Sequence, residues 1–308
     1  MPEKPMTEDE LARLYAFVEA GYKEPSAIGR LRGAVSKAVA GLFPSRGEAG
    51  RAGSSRAADP WAAVYMKGRP NFLVPVAACR NYALFGFGET AFDAWQQTAR
   101  QLAAAPETPA GDTVLARFAR TFRPQTAAEL LFSSPSVDVP ESSPLWQLKT
   151  SEYMYFWPWS PGLRRWPTNV PQDLRLYNHG PLGDRILELE VWRLKRLVRS
   201  IGRNGYQPTG ADSIRGVLFM LGDELRFVIA AGFHRVAVLA ALGHDEVPVE
   251  LASGQQRLMS LDQLRTWPLV REGVFSADLA DLLVERLFAE DGSEMAARLG
   301  LGPGKDGA

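Results

Sequence analysis

Three residues of one tetrad have the types and spacing to hold an anion. In Gly232-Phe233-His234-Arg235 the glycine lets the backbone turn sharply, and the histidine and arginine fall in the first turn of a helix. First-turn amides, the positive end of a helix dipole and a guanidinium then meet, a combination that suits phosphate or carboxylate. A second polar cluster, Asn178-His179-Gly180-Pro181-Leu182-Gly183-Asp184, reads as a loop of turn residues. His179 in it is a candidate general base or phosphate ligand, against the plainer reading of a surface histidine. His244 reads as a surface turn residue, and no spacing of His, Asp and Glu forms a metal-ligand set.

The surrounding pattern says what must position the tetrad. The apolar runs 214–221 and 224–229 flank Gly222-Asp223, the strongest hairpin signal in the chain. The second run leads into the tetrad, and residues 233–242 continue as a helix that Gly243 can stop. Val247-Pro248-Val249-Glu250-Leu251 is a last strand, its proline predicting an edge. Upstream, residues 173–177 read as a strand. Asp184 reads as the cap of a long helix to Arg203, with a stripe of Leu187, Val191, Leu194, Val198 and Ile201. Arg193, Arg196, Arg199 and Arg203 on its other face read as solvated, and Asn204-Gly205 ends it. A short helix from Leu261, a Trp267-Pro268 corner, a helix over 277–288 and a frayed tail from Asp291 follow.

The first half of the chain shows no catalytic motif. Thr7-Glu8-Asp9-Glu10 is a capping box ahead of a helix, and a second helix is expected over 27–42. Residues 47–58, rich in Gly, Ser, Ala and Arg, read as a flexible linker, and Asp59-Pro60 as the start of another helix. The apolar stretch 72–87 suits a buried helix or a buried strand, and periodicity does not choose. Helices are expected over 90–105, 113–122 and 126–132. Tyr153-Met154-Tyr155-Phe156-Trp157-Pro158-Trp159 and Trp166 form an aromatic bridge, either a stacking platform or a hydrophobic seam; the seam is the plainer reading.

Composition narrows the classes. The 35 basic and 35 acidic residues cancel, so no charge excess points to nucleic acid or an anionic membrane. A single cysteine, Cys79, excludes an internal disulfide framework and reads as a buried inert thiol. No long apolar run and no basic-then-apolar leader are present, so a cytoplasmic protein without a membrane span is expected.

The order long helix, Gly205-Tyr206-Gln207-Pro208, hairpin, Gly-x-His-Arg, helix, Leu242-Gly243, Val247-Pro248-Val249 resembles the ParB/sulfiredoxin-like superfamily over about residues 173–251. The expected fold class is therefore α+β. A mostly helical N-terminal half, 1–150, and the bridge at 151–172 would precede a small ParB/sulfiredoxin-like mixed sheet-and-helix domain at 173–290. The resemblance implies that the strand-to-helix turn holds the phosphates of a nucleotide through Gly232, His234 and Arg235. It implies that the 178–184 loop faces the same site, adding Asn178 and Gly180 as contacts and placing His179 and His234, the candidate catalytic side chains, in one pocket. The implied cofactor is a nucleoside triphosphate or diphosphate, ATP foremost, with its magnesium.

The departures from the superfamily matter as much. Phe233 stands where sulfiredoxins carry a reactive cysteine, which excludes sulfinic acid reduction. Ala231 stands where free-serine kinases of this fold have an aspartate. Phe233-His234 replaces the middle pair of the Gly-Glu-Arg-Arg that partitioning proteins use for CTP. The 57 residues after Leu251 show no basic recognition helix, so DNA partitioning is not expected. Three readings remain open. One is a nucleotide-dependent phosphotransferase acting on a small metabolite or sugar. Another is a nucleotide- or phosphosugar-binding regulator whose helical half is an effector or homodimerisation domain. The last is a scaffold in which Arg235 pairs with a carboxylate such as Asp223 or Glu246. The arrangement also looks like ParB-like proteins encoded with bacterial polysaccharide and secondary-metabolite enzymes.

Overall fold

The computed structural model describes residues 5–22, 71–132, 138–175, 179–207, 213–251 and 258–301. The helix expected over 27–42, the linker, the Asp59-Pro60 start and Asn178 lie outside the described residues. What is described is a mixed α+β arrangement around one six-stranded sheet.

Helix α1 (Glu8–Tyr22) opens on the expected box: Thr7 N donates to Glu10 Oε2 at 2.7 Å and Glu10 N to Thr7 Oγ1 at 3.3 Å. The stretch from Phe72 resolves as strand β1 (Asn71–Pro75), a tight turn and β2 (Cys79–Arg80). Its alternation, with Phe72 and Val74 inward, was masked in sequence by apolar residues on both faces. Helices α2 (Ala94–Ala104), α3 (Val114–Thr121) and α4 (Ala127–Leu131) follow. Each starts one residue after a side chain that caps it: Asp93 accepts from Gln96 N, Thr113 from Ala116 N, Thr126 from Glu129 N. The first therefore begins at Ala94 and not at Thr90. A two-stranded ribbon of β3 (Tyr153–Tyr155) and β4 (Arg164–Arg165) leads to α5 (Asp184–Asn204).

The strand expected over 173–177 is corrected at 173–175; residues 176 and 177 lie outside the described residues. Pro171 starts a tight turn over Gln172–Leu174, and Leu174 packs with Val170 on Leu11, Leu14 and Val18 of α1. Asp184 is the first residue of α5 and not its cap; Gly183 holds the cap position without a side-chain bond.

The predicted hairpin forms as β5 (Ile214–Leu221) and β6 (Glu224–Ala231), followed by α6 (Phe233–Ala241) and β7 (Glu246–Leu251). Strand β8 (Leu258–Ser260), α7 (Pro268–Arg271), α8 (Ala277–Ala289) and α9 (Ser293–Arg298) follow among the described residues. The stretch from Asp291, read as a tail, carries α9, and Asp291 O accepts from Gly86 N and Phe92 N, both at 3.0 Å.

The sheet order is β1-β7-β5-β6-β2, with β8 also on β5. Strand β7 is thus interior, which corrects the edge expected from Pro248. The proline is tolerated because β5 pairs only with Val249–Leu251, so its missing N–H falls before that ladder begins. Helices α2, α5 and α6 pack on one another. The bridge aromatics form a seam: Trp157 stacks on Trp159 at 5.0 Å, and Trp159 meets Phe219 of β5 at 4.4 Å and Trp267 at 5.6 Å. Cys79 is fully buried, and burial pushes its thiol up to about 12, so it is no nucleophile at neutral pH.

Candidate functional site

The chain reverses at the end of β6 through Gly232, whose φ of +86° is left-handed. A Cβ there would lie 2.9 Å from Ile214 Cα, so any other residue is strained and also collides with β5. Gly232 O accepts from Arg235 N at 2.9 Å and Val236 N at 3.2 Å, which starts α6 without a side-chain cap. The amides of Phe233 and His234 come before these first helical bonds, as the first amides of any helix do. Phe233 anchors the turn, edge-on to Trp95 at 5.0 Å and Phe87 at 5.9 Å.

His234 is not a free side chain at the helix start. Its Nε2 lies 2.6 Å from Oε2 of Glu190 on α5, which also accepts from Trp95 Nε1 at 2.6 Å. Oε1 of Glu190 accepts from Arg193 Nη1 at 2.9 Å. Burial alone would raise the Glu190 carboxyl; His234 and the Arg193 guanidinium, with hydrogen bonds from His234 and Trp95, outweigh it and hold it down at about 2. Burial, helped by Arg193 and Arg235 and opposed by Glu190, holds His234 below its ordinary value. The expected solvated arginine face is therefore wrong at Arg193, which is drawn in by the buried Glu190, and right at Arg196, Arg199 and Arg203, which are exposed.

His179 and Gly180 pack against the end of α3. Gly180 N donates to Phe122 O at 2.7 Å at the end of α3, and a Cβ on Gly180 would fall 1.8 Å from Ala119 O. His179 is buried, with Nδ1 2.7 Å from Gly180 O, and burial pulls it down to about 4. A surface histidine is excluded. The contacts of His234 run to Glu190 and Phe233, and none of them joins it to His179.

Two residues that sequence reasoning missed stand beside the turn. One is Glu190. The other is Arg215 of β5, opposite Ala231 of β6 and Glu250 of β7, one residue from Gly232. Its Nε is sealed from solvent without a hydrogen-bond partner. The neighbouring Glu250 is engaged by Ser213 Oγ at 2.7 Å. The available signal was a lone arginine in the apolar run Ile214-Arg215-Gly216-Val217. Among the described residues no group of three His, Cys, Asp or Glu forms a metal site, and no helix is long and apolar enough to cross a membrane. No family model, no curated protein and no solved structure matches the chain.

Proposed function

We propose that the protein binds a phosphate-bearing small molecule, a nucleotide such as ATP first, at the end of the sheet where β6 turns into α6, and that it transfers the terminal phosphoryl group to a small metabolite or sugar. The observation that carries the reading is Arg215. A buried guanidinium nitrogen without an acceptor costs folding free energy, about 1–3 kcal/mol for an unmet polar group. A phosphate oxygen is the acceptor that a guanidinium suits best, and Arg215 pairs with Ala231, the residue before the left-handed Gly232 from which α6 starts without a side-chain cap. The resemblance to ParB/sulfiredoxin-like proteins points to the same turn.

A second reading, a binding protein without turnover, is favoured by His179: a buried, neutral histidine held on Gly180 O is poorly placed to exchange protons with a substrate. In both readings the ligand is the same. Calorimetric titration of the chain with ATP, ADP, CTP and GTP, with and without magnesium, tests it. Binding that is lost in Arg235→Ala is expected; equal binding by wild type and Arg235→Ala would sink it. Phosphate transfer from radiolabelled ATP to pooled sugars then separates enzyme from sensor.

A further inference from the structure

We infer that Glu190 and His234 form a proton-accepting dyad, in which Glu190 is the positioning residue and Nδ1 of His234 the atom that takes a proton from a hydroxyl-bearing substrate. The chemistry of that step rests on the phosphoryl-transfer reading; the state of the dyad does not.

The geometry fixes which nitrogen carries the proton. An ionised carboxylate only accepts hydrogen bonds, so the 2.6 Å contact to Oε2 requires a proton on Nε2. Glu190 is kept ionised by Arg193 at 2.9 Å and by the indole of Trp95, and its side chain is only 5% exposed. Three donors from three places, Trp95 on α2, Arg193 on α5 and His234 on α6, thus converge on one carboxylate. In the neutral ring the lone pair is then on Nδ1. Among the described residues no protein group bonds Nδ1, and it is not among their sealed nitrogens without partners, which are those of Trp192, Arg215, Arg226 and Trp267. Nδ1 is therefore open. The 17% of the His234 side chain that remains exposed lies in the first turn of α6, next to Arg235.

A histidine whose second nitrogen is held by a carboxylate, with its free nitrogen beside an anion-binding turn, has the arrangement of a general base. With a nucleoside triphosphate bound, the substrate O–H bond breaks and its proton passes to Nδ1. The oxygen's electron pair forms the new O–P bond, and the bond from the terminal phosphorus to the bridging oxygen breaks. The nucleoside diphosphate leaves with that electron pair. The ring then carries a positive charge, which Glu190 stabilises and Arg193 and Arg235 oppose, so the proton is easily passed on.

Histidine-selective nitrogen NMR on the ligand-free chain tests the dyad apart from any nucleotide. His179 and His244 are assigned by single substitution. Wild-type His234 is expected neutral at pH 7.5, with its proton on Nε2 and Nδ1 unprotonated. In Glu190→Gln the missing charge is expected to lower the His234 titration midpoint further, by about one pH unit, the scale of one nearby charge. A proton on Nδ1 in the wild type overturns the inference, as does a midpoint that does not move in Glu190→Gln. If that variant does not fold, the wild-type tautomer decides by itself. Failure of nucleotide binding with the tautomer as expected would remove the phosphoryl-transfer reading and leave the dyad.

Discussion

Nε2 of His234 lies 2.6 Å from Oε2 of Glu190, and this one contact joins the first turn of α6 to the middle of α5. The residue that sequence marks as a phosphate ligand is therefore also a structural tie. Removing Glu190 leaves His234, Arg193 and Trp95 without their shared acceptor.

Glu190→Ala should destabilise the fold by about 3–5 kcal/mol, the usual cost of breaking a buried charged pair from one side. Glu190→Gln, which keeps an acceptor oxygen, should cost less. Urea unfolding followed by tryptophan fluorescence reads both. An alanine variant as stable as the wild type would show that the cluster contributes nothing.

Two buried groups should tilt stability with pH in opposite directions. His179 falls from 6.5 to about 4 in the fold, so the unfolded chain takes up its proton first and stability is lost as pH drops from 6.5 towards 4. The full loss is about 3 kcal/mol by linkage. Asp93 rises from 3.8 to about 7 because burial outweighs its bonds to Gln96, Asn81 and Trp95. The fold therefore holds that proton longer, and stability falls as pH climbs from 4 to 7. Asp93→Ser keeps a capping oxygen and removes the second slope. Its urea midpoint should rise more steeply with pH between 4 and 6.5 than that of the wild type; identical slopes would contradict the assignment.

Two glycines should respond to alanine in opposite ways. Gly180 has Ala119 O 1.8 Å from where a Cβ would be, so Gly180→Ala should yield insoluble or strongly destabilised protein. Gly202 lies in the last turn of α5 with nothing within 4 Å of its Cβ position. Gly202→Ala should stabilise by about 0.5–1 kcal/mol through helix propensity. Thermal melts of the soluble fractions check both.

What the sequence disclosed follows from local physics. The β5–β6 hairpin was legible because Gly222-Asp223 fits only a two-residue turn between apolar runs, and Gly222 does take a φ of +57°. Helix starts were legible to within a few residues through Thr7, Thr113 and Thr126. Pro248 misled, because a missing donor is visible in sequence while the point where β5 begins to pair is not. Glu190 was invisible for the same reason. One glutamate on a helix, with Arg193 one turn on, reads as solvated until Trp95 of α2 and His234 of α6 are brought to it. His179 likewise looked like a surface histidine, and its burial depends on the end of α3 packing against Gly180.

The most direct measurement of the central claim is the melting temperature of the wild type and of Arg215→Leu, each with and without saturating magnesium ATP. An arginine kept for a ligand is a burden without one. The ligand-free variant should therefore melt no lower than the wild type, since an unmet buried nitrogen has been removed. A ligand at 100 times its dissociation constant stabilises by about 2.7 kcal/mol, and that gain should appear in the wild type and vanish in Arg215→Leu. A wild type that does not respond to ATP, CTP or GTP, or an undiminished response in the variant, would contradict a phosphate site at this end of the sheet.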